Sequence, residues 1–470
     1  MAVLTTVNPA TGTPLADYLV LSDAEVDLAL DRAAAAQARW AQLPIAERAA
    51  VLRRAAQVLR DDVDELALLV TREMGKPLAE ARAEVEKCAT ACDFYAEHAA
   101  DFLADEPVAT PADRSWIGYE PVGVVLAVMP WNFPLWQVFR FAAPALMAGN
   151  AALLKHSPNT TGSALAVQRV LAAAGAPESL FTALVVAEAD VPAVTRRLIE
   201  DPRVGAVTLT GSERAGIAVG SAAGGAIKKS VLELGGSDPF VVLADADLPR
   251  VAAMATKARY LNAGQSCISA KRFVVDAAVA EEFTRLLVAE VEKLTVGDPE
   301  ASGTDVGPMA RADLLDGVHR QVEASVARGA RLLTGGRRLE GPGNFYAPTV
   351  LAGVAPGMPA YDEEIFGPVA AVIVVDGEDE AVLVANDTRF GLGASVWTAD
   401  PARGVAVGRR IRSGAVFVNA VVASDVRMPF GGTRASGYGR ELAAAGIREF
   451  VNVRTWWVLD EPAASAPAAE

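Results

Sequence analysis

One cysteine of this 470-residue chain lies in a segment suited to nucleophilic chemistry. Cys267 lies in Asn262-Ala-Gly-Gln-Ser-Cys-Ile-Ser-Ala-Lys-Arg272, a small-residue stretch that follows a helical pattern and precedes an apolar strand. Such a loop can expose a thiol, although an internal cysteine taken by itself is more often a small core hydrophobe. A nucleophilic role therefore requires a general base and an oxyanion donor elsewhere in the chain.

Two further residues could supply those groups. Glu233 lies in Val231-Leu-Glu-Leu-Gly-Gly-Ser-Asp-Pro239, where the two glycines indicate that other backbone or a ligand comes close. Asn132 lies in Met129-Pro-Trp-Asn-Phe-Pro134, after a buried strand, and its amide could donate to a developing oxyanion. Taken separately, a surface carboxylate on a strand and a turn-forming asparagine explain these residues equally well.

The surrounding pattern predicts the elements that would position these residues. From about residue 122, short apolar runs alternate with amphipathic stretches, which predicts a mostly parallel sheet with helices on both faces. The predicted elements of this series are strands at 122–128, 151–154, 206–209 and 231–234, with helices from Pro134, over 161–174 and from Glu213. A second α/β series has candidate strands at 239–243, 272–276, 370–375 and 415–418. The first hundred residues are predicted as helices in series, opening with a capping box at Ser22 and Glu25.

Composition narrows the class of protein. The length corresponds to roughly three domain-sized units, and 52% hydrophobic with 21% charged residues predicts packed cores. A net charge of -15 without a long Lys/Arg block argues against nucleic acid and anionic membranes as partners. The chain lacks an apolar run long enough for a bilayer and a signal-peptide pattern at Met1, so we expect a cytoplasmic protein.

Cysteine, histidine and glycine spacing removes several other site types. Three cysteines and three scattered histidines predict neither a disulfide framework nor a metal site. Cys88 and Cys92 fall on one face of a predicted helix and are expected to be buried, inert thiols. No Gly-x-Gly-x-x-Gly occurs, but Gly211-Ser-Glu-Arg-Ala-Gly216 follows an apolar run and opens a helix, whose free N–H groups could receive a pyrophosphate. Taken alone, that segment is better explained as a plain strand-to-helix turn.

Together these motifs resemble the aldehyde dehydrogenase superfamily over nearly the whole chain. The matching segments, in order, are Pro130-Trp-Asn-Phe-Pro134, Leu154-Lys155, Thr208-Leu-Thr-Gly-Ser212, Leu232-Glu-Leu-Gly-Gly236, Gly264-Gln-Ser-Cys267, Glu363-Glu-Ile-Phe-Gly-Pro368 and Pro429-Phe-Gly-Gly432. The resemblance implies an α/β fold with a Rossmann-type cofactor domain, an α/β catalytic domain and a small β oligomerisation arm. It also implies that Cys267 attacks an aldehyde, that Asn132 and the Cys267 N–H hold the oxyanion, and that Glu233 activates the hydrolytic water.

The resemblance implies NADP or NAD as cofactor, bound by residues at matching positions. Lys155 is expected at the adenosine ribose, Trp131 and Ser212 at the pyrophosphate, and Glu364 at the nicotinamide ribose with Phe366 beside the ring. Gly211 and Ser157 complete this set. Position 158, often Glu in relatives that prefer NAD, is Pro158 here, so we expect NADP to be used at least as well as NAD.

Within the superfamily, the chain looks most like bacterial NAD(P)-dependent succinate-semialdehyde dehydrogenases. The resemblance assigns Arg140 and Ser424 to the distal carboxylate of the substrate, whereas Leu261 replaces a second arginine of some relatives. Without the resemblance, Arg140 would be a solvated helix arginine or part of an internal ion pair. A CoA-acylating semialdehyde dehydrogenase and a catalytically inactive binding or structural relative are the alternatives.

The same resemblance predicts the division of the chain. Residues 1–105 and 122–233 are expected to form the cofactor-binding domain and 234–430 the catalytic domain. Residues 106–121 and 446–460 should form the oligomerisation arm, because Ser115-Trp-Ile-Gly-Tyr119 and Val451-Asn-Val-Arg-Thr-Trp-Trp-Val458 alternate as an exposed two-stranded ribbon would. Exposed edges of such a ribbon favour a homodimer or homotetramer. The Pro/Ala-rich residues 461–470 are expected to be a disordered tail.

Overall fold

A computed structural model describes residues 2–460, so the predicted tail at 461–470 lies outside the described residues. The strands are β1 Val3–Val7, β2 Pro14–Leu19, β3 Glu106–Pro107, β4 Arg114–Pro121, β5 Val124–Met129, β6 Ala151–His156, β7 Phe181–Leu184, β8 Val204–Thr210, β9 Lys229–Glu233, β10 Asp238–Val242, β11 Ala270–Asp276, β12 Arg331–Thr334, β13 Thr349–Ala352, β14 Val369–Val375, β15 Gly393–Trp397, β16 Ala415–Val418, β17 Gly437–Tyr438 and β18 Val451–Val458.

Helices account for most of the remaining regular structure. They are α1 Asp23–Trp40, α2 Ile45–Asp61, α3 Val63–Met74, α4 Leu78–Phe102, α5 Trp136–Met147, α6 Thr161–Ala173, α7 Val191–Glu200, α8 Glu213–Gly225, α9 Leu248–Tyr260, α10 Ala280–Val291, α11 Ala312–Ala327, α12 Pro359–Asp362, α13 Gly377–Asn386, α14 Pro401–Gly408 and α15 Ala443–Arg448. The predicted capping box is confirmed: the Ser22 side chain accepts from the Glu25 N–H, and the Glu25 carboxylate accepts from the Ser22 N–H.

The first α/β series forms a six-stranded sheet in the order β17-β9-β8-β5-β6-β7. Its strands are parallel except β17, which joins β9 in the antiparallel sense. Strands such as β5 are apolar along their length because both faces are covered, as parallel sheets require. The predicted α/β alternation is therefore confirmed here, with the addition of β7 and α7, which the sequence pattern did not reveal.

The second series forms a seven-stranded sheet in the order β12-β13-β14-β11-β10-β15-β16, parallel except for the β12–β13 pair. Two apolar clusters cover its two faces. The four predicted strands are present, and β12, β13 and β15 complete the sheet.

Two smaller sheets complete the described chain. β18 pairs with β4 over its whole length, and the short β3 adds to the other side of β4. One expectation is corrected at the N-terminus: residues before α1 form the antiparallel hairpin β1–β2, because Thr, Val and Tyr residues there flank a turn at Gly12. Within residues 2–460, no helix is long and apolar enough to cross a membrane and no cluster of metal-ligating side chains occurs.

Candidate active site

The loop that carries Cys267 lies between α9 and β11 and has an unusual backbone. Asn262, Ala263 and Gly264 have consecutive φ values of 53°, 52° and 71°, of which the first two are costly for residues with a side chain. A Cβ at Gly264 would lie 2.4 Å from the Gly367 carbonyl oxygen. This loop therefore packs directly against the Glu363–Pro368 segment and persists only because its surroundings fix it.

Two charged residues, the buried Arg259 and the half-buried Glu80, fix that backbone. The Arg259 guanidinium donates to the carbonyl oxygens of Ala270 at 3.3 Å and Ile365 at 3.0 Å, and also to that of Gly367. The Glu80 carboxylate accepts from the Asn262 N–H at 2.9 Å, and burial raises the pKa of this carboxyl to about 7. Both ends of the strained turn are thereby tied to neighbouring elements.

Asn132 is bound to the same loop. The side-chain Nδ2 of Asn132 donates to the Gln265 backbone carbonyl at 3.1 Å. The backbone carbonyl of Asn132 accepts from Asn262 Nδ2 at 2.8 Å. A carboxamide carries two N–H donors, so one donor remains for an oxygen placed beside Cys267. The structure thus binds Asn132 to the loop that carries Cys267, which lies 135 residues away in the sequence.

Helix α5 begins just after Asn132, and a buried ion pair holds its first turn. Glu84 accepts from the backbone N–H groups of Leu135 at 2.9 Å and Trp136 at 3.0 Å, as a carboxylate favours at a helix N-terminus. The same carboxylate pairs with the buried Lys76, whose ammonium lies 3.7 Å from the centre of the Phe133 ring.

The Cys267 thiol is half-buried, and its pKa is raised to about 11 because burial disfavours the thiolate. The positive charges of Arg140 and Lys271 oppose this shift. Lys271 also donates to the carbonyl oxygens of Ser266 at 2.9 Å and Cys267 at 2.6 Å. Since the free protein holds this sulfur as a thiol at neutral pH, attack requires a group that removes the proton.

Glu233 ends β9 and is suited to act as a general base towards a water molecule. Its side chain is 2% exposed, and neither carboxyl oxygen has a hydrogen-bond partner among the described residues. Burial raises the pKa of this carboxyl well above its usual range, Glu441 raises it further, and the Arg140 charge opposes both. A raised pKa makes the carboxylate a stronger base, as general-base catalysis near neutral pH requires.

Arg140, predicted to bind the distal carboxylate of the substrate, has internal partners in the structure. Arg140 lies in the second turn of α5 and forms an ion pair with Glu441, with both side chains almost fully buried. Its Nη2 also donates to Thr210 Oγ1 at 3.1 Å, and its guanidinium lies 4.8 Å from the Phe430 ring centre. Glu441 and Thr210 therefore orient the guanidinium through Nε and Nη2, and the role of Arg140 in binding the substrate carboxylate stays a prediction. Ser424 also has a partner: its Oγ accepts from Lys87 Nζ at 2.7 Å.

The predicted cofactor residues lie along one edge of the six-stranded sheet and in the Glu363–Pro368 segment. Gly211 and Ser212 form the turn between β8 and α8, and the Ser212 hydroxyl caps the helix by accepting from the Ala215 N–H at 3.3 Å. Lys155 lies near the end of β6, where burial lowers the pKa of its ammonium to about 8. Ser157 donates to Asn159 Oδ1 at 2.7 Å. A buried ammonium and an open helix N-terminus are groups that fit a dinucleotide phosphate and ribose.

The residues predicted to bind the nicotinamide end of the cofactor have aromatic and acidic side chains. The Trp131 and Phe366 rings meet edge to face at 5.7 Å. The Glu364 carboxylate accepts from the Gly236 N–H at 3.1 Å and pairs with Lys271 at 3.2 Å. A Cβ at Gly235 would lie 2.1 Å from Glu364 Oε2, which confirms the close approach predicted from the two glycines.

A thiol, an amide donor and a buried carboxyl therefore meet beside a surface suited to a dinucleotide, which is the arrangement of an oxidoreductase that forms a covalent adduct with its substrate. The aldehyde dehydrogenase family profile matches residues 2–456, and the chain belongs to this family. This confirms the resemblance and the predicted fold class.

Individual relatives match this chain in sequence or in structure over nearly its full length. The chain is 51% identical over 455 residues to the probable NADP(+) succinate-semialdehyde dehydrogenase of Synechocystis sp., covering 97% of this chain and 99% of that protein. It is 47% identical over 451 residues to the NAD(P)+ succinate semialdehyde dehydrogenase Sad of Escherichia coli, covering 96% and 97%. The crystal structure of the Streptococcus pyogenes succinic semialdehyde dehydrogenase with NADP+ superposes with a TM-score of 0.94 at 36% identity, covering 97% and 100%.

Several residues at the site were not singled out from the sequence. They are Lys76, Glu80, Glu84, Lys87, Arg259, Lys271 and Glu441. Lys271 lies in the quoted segment around Cys267, so its presence was visible but its partners were not, and Glu441 lies beyond the last matching segment. The others lie on α4, its preceding loop or α9, where a charged residue is indistinguishable in sequence from one on a solvated face.

Proposed function

We propose that this chain oxidises succinate semialdehyde to succinate with NADP or NAD as the hydride acceptor. The observation that carries the proposal is the junction of Cys267, Asn132 and Glu233 in a family member about half identical to proteins named succinate-semialdehyde dehydrogenases. Lys155, Ser157 and the Gly211–Ser212 turn would hold the adenosine and phosphate portions of the nucleotide. Trp131, Glu364 and Phe366 would hold its nicotinamide ribose end.

In the first half-reaction, Cys267 transfers its proton to a base and its sulfur bonds to the aldehyde carbon. The oxyanion that forms accepts the second Asn132 N–H and the backbone N–H of Cys267, donors that are positioned before the reaction begins. The bound nucleotide supplies the hydride acceptor, and loss of hydride from the adduct leaves a thioester on Cys267.

In the second half-reaction, Glu233 removes a proton from water as the water attacks the thioester carbonyl. The thiolate of Cys267 leaves and is protonated again, and succinate is released. Burial and Glu441 make the Glu233 carboxylate a stronger base than a solvated one, which favours hydrolysis. Transfer to CoA would not need this residue.

The experiment is a steady-state comparison of succinate semialdehyde with butanal, each with NADP and with NAD, following absorbance of the reduced nicotinamide. We expect succinate semialdehyde to be preferred, and Cys267→Ala to remove turnover on both aldehydes. Succinate should accumulate without CoA. Equal efficiency on the two aldehydes would refute the substrate assignment but not the aldehyde dehydrogenase assignment.

The domain division at residue 233 and the oligomeric arm also belong to this proposal. β18 is an edge strand, and its Val453 and Trp457 side chains are 59% and 53% exposed. An exposed strand edge with large apolar side chains favours pairing with another copy. Light scattering on wild type and on Val453→Lys should separate a homodimer or homotetramer from a monomer.

A further inference from the structure

A buried ammonium next to the nucleophile is not used by the proposed reaction. Lys271 lies on β11, and its side chain is 3% exposed. Its Nζ donates to the backbone carbonyls of Ser266 at 2.9 Å and Cys267 at 2.6 Å, and it pairs with Glu364 Oε1 at 3.2 Å. Because an ammonium has three N–H donors, these three acceptors use all of them. Lys271 therefore joins the nucleophile loop to the segment predicted to hold the nicotinamide ribose.

The first of these contacts fixes the direction of an oxyanion donor. A peptide unit is planar, and in its trans form the carbonyl oxygen and the N–H point in opposite directions. The Ser266 carbonyl and the Cys267 N–H belong to one trans peptide unit, so binding of that oxygen by Lys271 turns the N–H away from the ammonium. The Ser269 N–H also binds the Ser266 oxygen, at 3.2 Å. Within residues 2–460, the Cys267 N–H donates to no protein acceptor, so it is available for the oxyanion.

The same ammonium positions the acid predicted to bind the nicotinamide ribose. Glu364 Oε1 accepts from the Gly236 N–H at 3.1 Å and pairs with Lys271 Nζ at 3.2 Å. Since both contacts are on Oε1, the other oxygen, Oε2, is left for a ribose hydroxyl. Lys271 Nζ also lies 6.0 Å from the centre of the Phe366 ring, which is predicted to lie beside the nicotinamide. One side chain thus contacts both the loop that carries the thiol and a residue that would hold the hydride acceptor.

We propose that Lys271 is a positioning residue for the oxidation, which aims the Cys267 N–H at the oxyanion and holds Glu364 for the nicotinamide ribose. This inference rests on the proposed function. The charges around the thiol agree with it: burial raises the pKa of Cys267, the positive charges of Arg140 and Lys271 oppose that rise, and the negative charges of Glu364 and Glu233 add to it. Because Lys271 acts through the Cys267 peptide, its loss should slow every reaction that passes through the oxyanion, with or without nucleotide.

An activated ester tests the oxyanion part without nucleotide. The Cys267 sulfur should bond to the carbonyl carbon of p-nitrophenyl acetate, and p-nitrophenolate should leave in a burst that is followed by its absorbance. Lys271→Met should lower the rate of this acylation about 10- to 100-fold, at or below the effect of one lost oxyanion donor. Lys293→Met, which removes an exposed lysine paired with Glu290, is the matched control and should acylate at the wild-type rate.

A second variant separates this effect from that of an unpaired charge. In Lys271→Met the Glu364 carboxylate loses its cation, which is itself costly in a partly buried site. Lys271→Met combined with Glu364→Gln removes that charge as well, and it should acylate as slowly as Lys271→Met alone. Recovery of the wild-type acylation rate in the double variant would overturn the inference, and so would a wild-type rate in Lys271→Met.

The reaction with NADP tests the part played through Glu364. Lys271→Met should raise the Kd for NADP about 3- to 10-fold, the loss of one polar contact, and a wild-type Kd would contradict the assignment to Glu364. The hydride burst should slow by the same factor on succinate semialdehyde and on butanal, because Lys271 does not contact the substrate. A much larger loss on one aldehyde would overturn the inference. If wild type neither acylates with the ester nor oxidises an aldehyde faster than Cys267→Ala, the proposed function itself is wrong.

Discussion

The buried pair of Arg140 and Glu441 permits a quantitative prediction. Their side chains are 2% and 1% exposed, so removing one partner leaves the other charge without water to replace it. Breaking a buried pair in this way costs about 3–5 kcal/mol, whereas removing both charges is often close to neutral. We therefore expect Arg140→Met to lower the free energy of unfolding by about 3–5 kcal/mol, and the double change Arg140→Met with Glu441→Gln to recover most of that loss.

Urea unfolding followed by tryptophan fluorescence measures the effect. The matched control is Arg169→Met, whose pair with Glu65 is 61% and 76% exposed and separated by 3.7 Å; an exposed pair contributes at most about 1 kcal/mol. Activity of Arg140→Met separates a purely structural role, which would lower turnover of succinate semialdehyde and butanal alike, from binding of the substrate carboxylate, which would lower the semialdehyde reaction more. The reasoning about the buried pair fails if the stability losses of the single variants Arg140→Met and Glu441→Gln add in the double variant.

Three other predictions address the site and the cofactor. Asn132→Ala should lower kcat about 10²- to 10³-fold, the effect of one lost oxyanion donor, while an unchanged kcat would make it a structural residue. Pro158→Glu should shift the ratio of kcat/KM values towards NAD, because a carboxylate there would repel a 2′-phosphate and bind the ribose hydroxyls; an unchanged ratio contradicts this. Alkylation of Cys267 by iodoacetamide should accelerate about tenfold per pH unit below about pH 11, since the raised pKa keeps the thiolate scarce. A rate that levels off near neutral pH would show that another group activates the thiol.

The sequence was informative where local pattern and residue type decide structure. The βαβ alternation predicted β5, β6, β8 and β9 to within a few residues, because buried parallel strands are short continuous apolar runs. β7 and β15 were not predicted, because Thr182 and Ser395 interrupt their short apolar runs. The paired glycines after Glu233 predicted a close approach, and the structure places Glu364 there.

Contacts between side chains that lie far apart in the sequence could not be predicted. An internal ion pair was one alternative for Arg140 on α5, but its partner Glu441 lies three hundred residues later and could not be identified from the sequence. Lys87 resembles any polar residue on a long helix, and only folding places it over Trp136 and beside Ser424. The strained turn at Asn262 likewise depends on Arg259 and Glu80, whose roles appear only in three dimensions.

The central claim is that the substrate becomes a thioester on Cys267, and that Glu233 then activates the water that hydrolyses this thioester. Glu233→Gln mixed with succinate semialdehyde and NADP should release one equivalent of reduced nucleotide in a rapid burst and then stall. Intact-protein and peptide mass spectrometry on the quenched mixture should find one succinyl group on Cys267 and none on Cys88 or Cys92, which are buried. A Glu233→Gln variant that turns over at the wild-type rate without a Cys267 adduct would contradict the account.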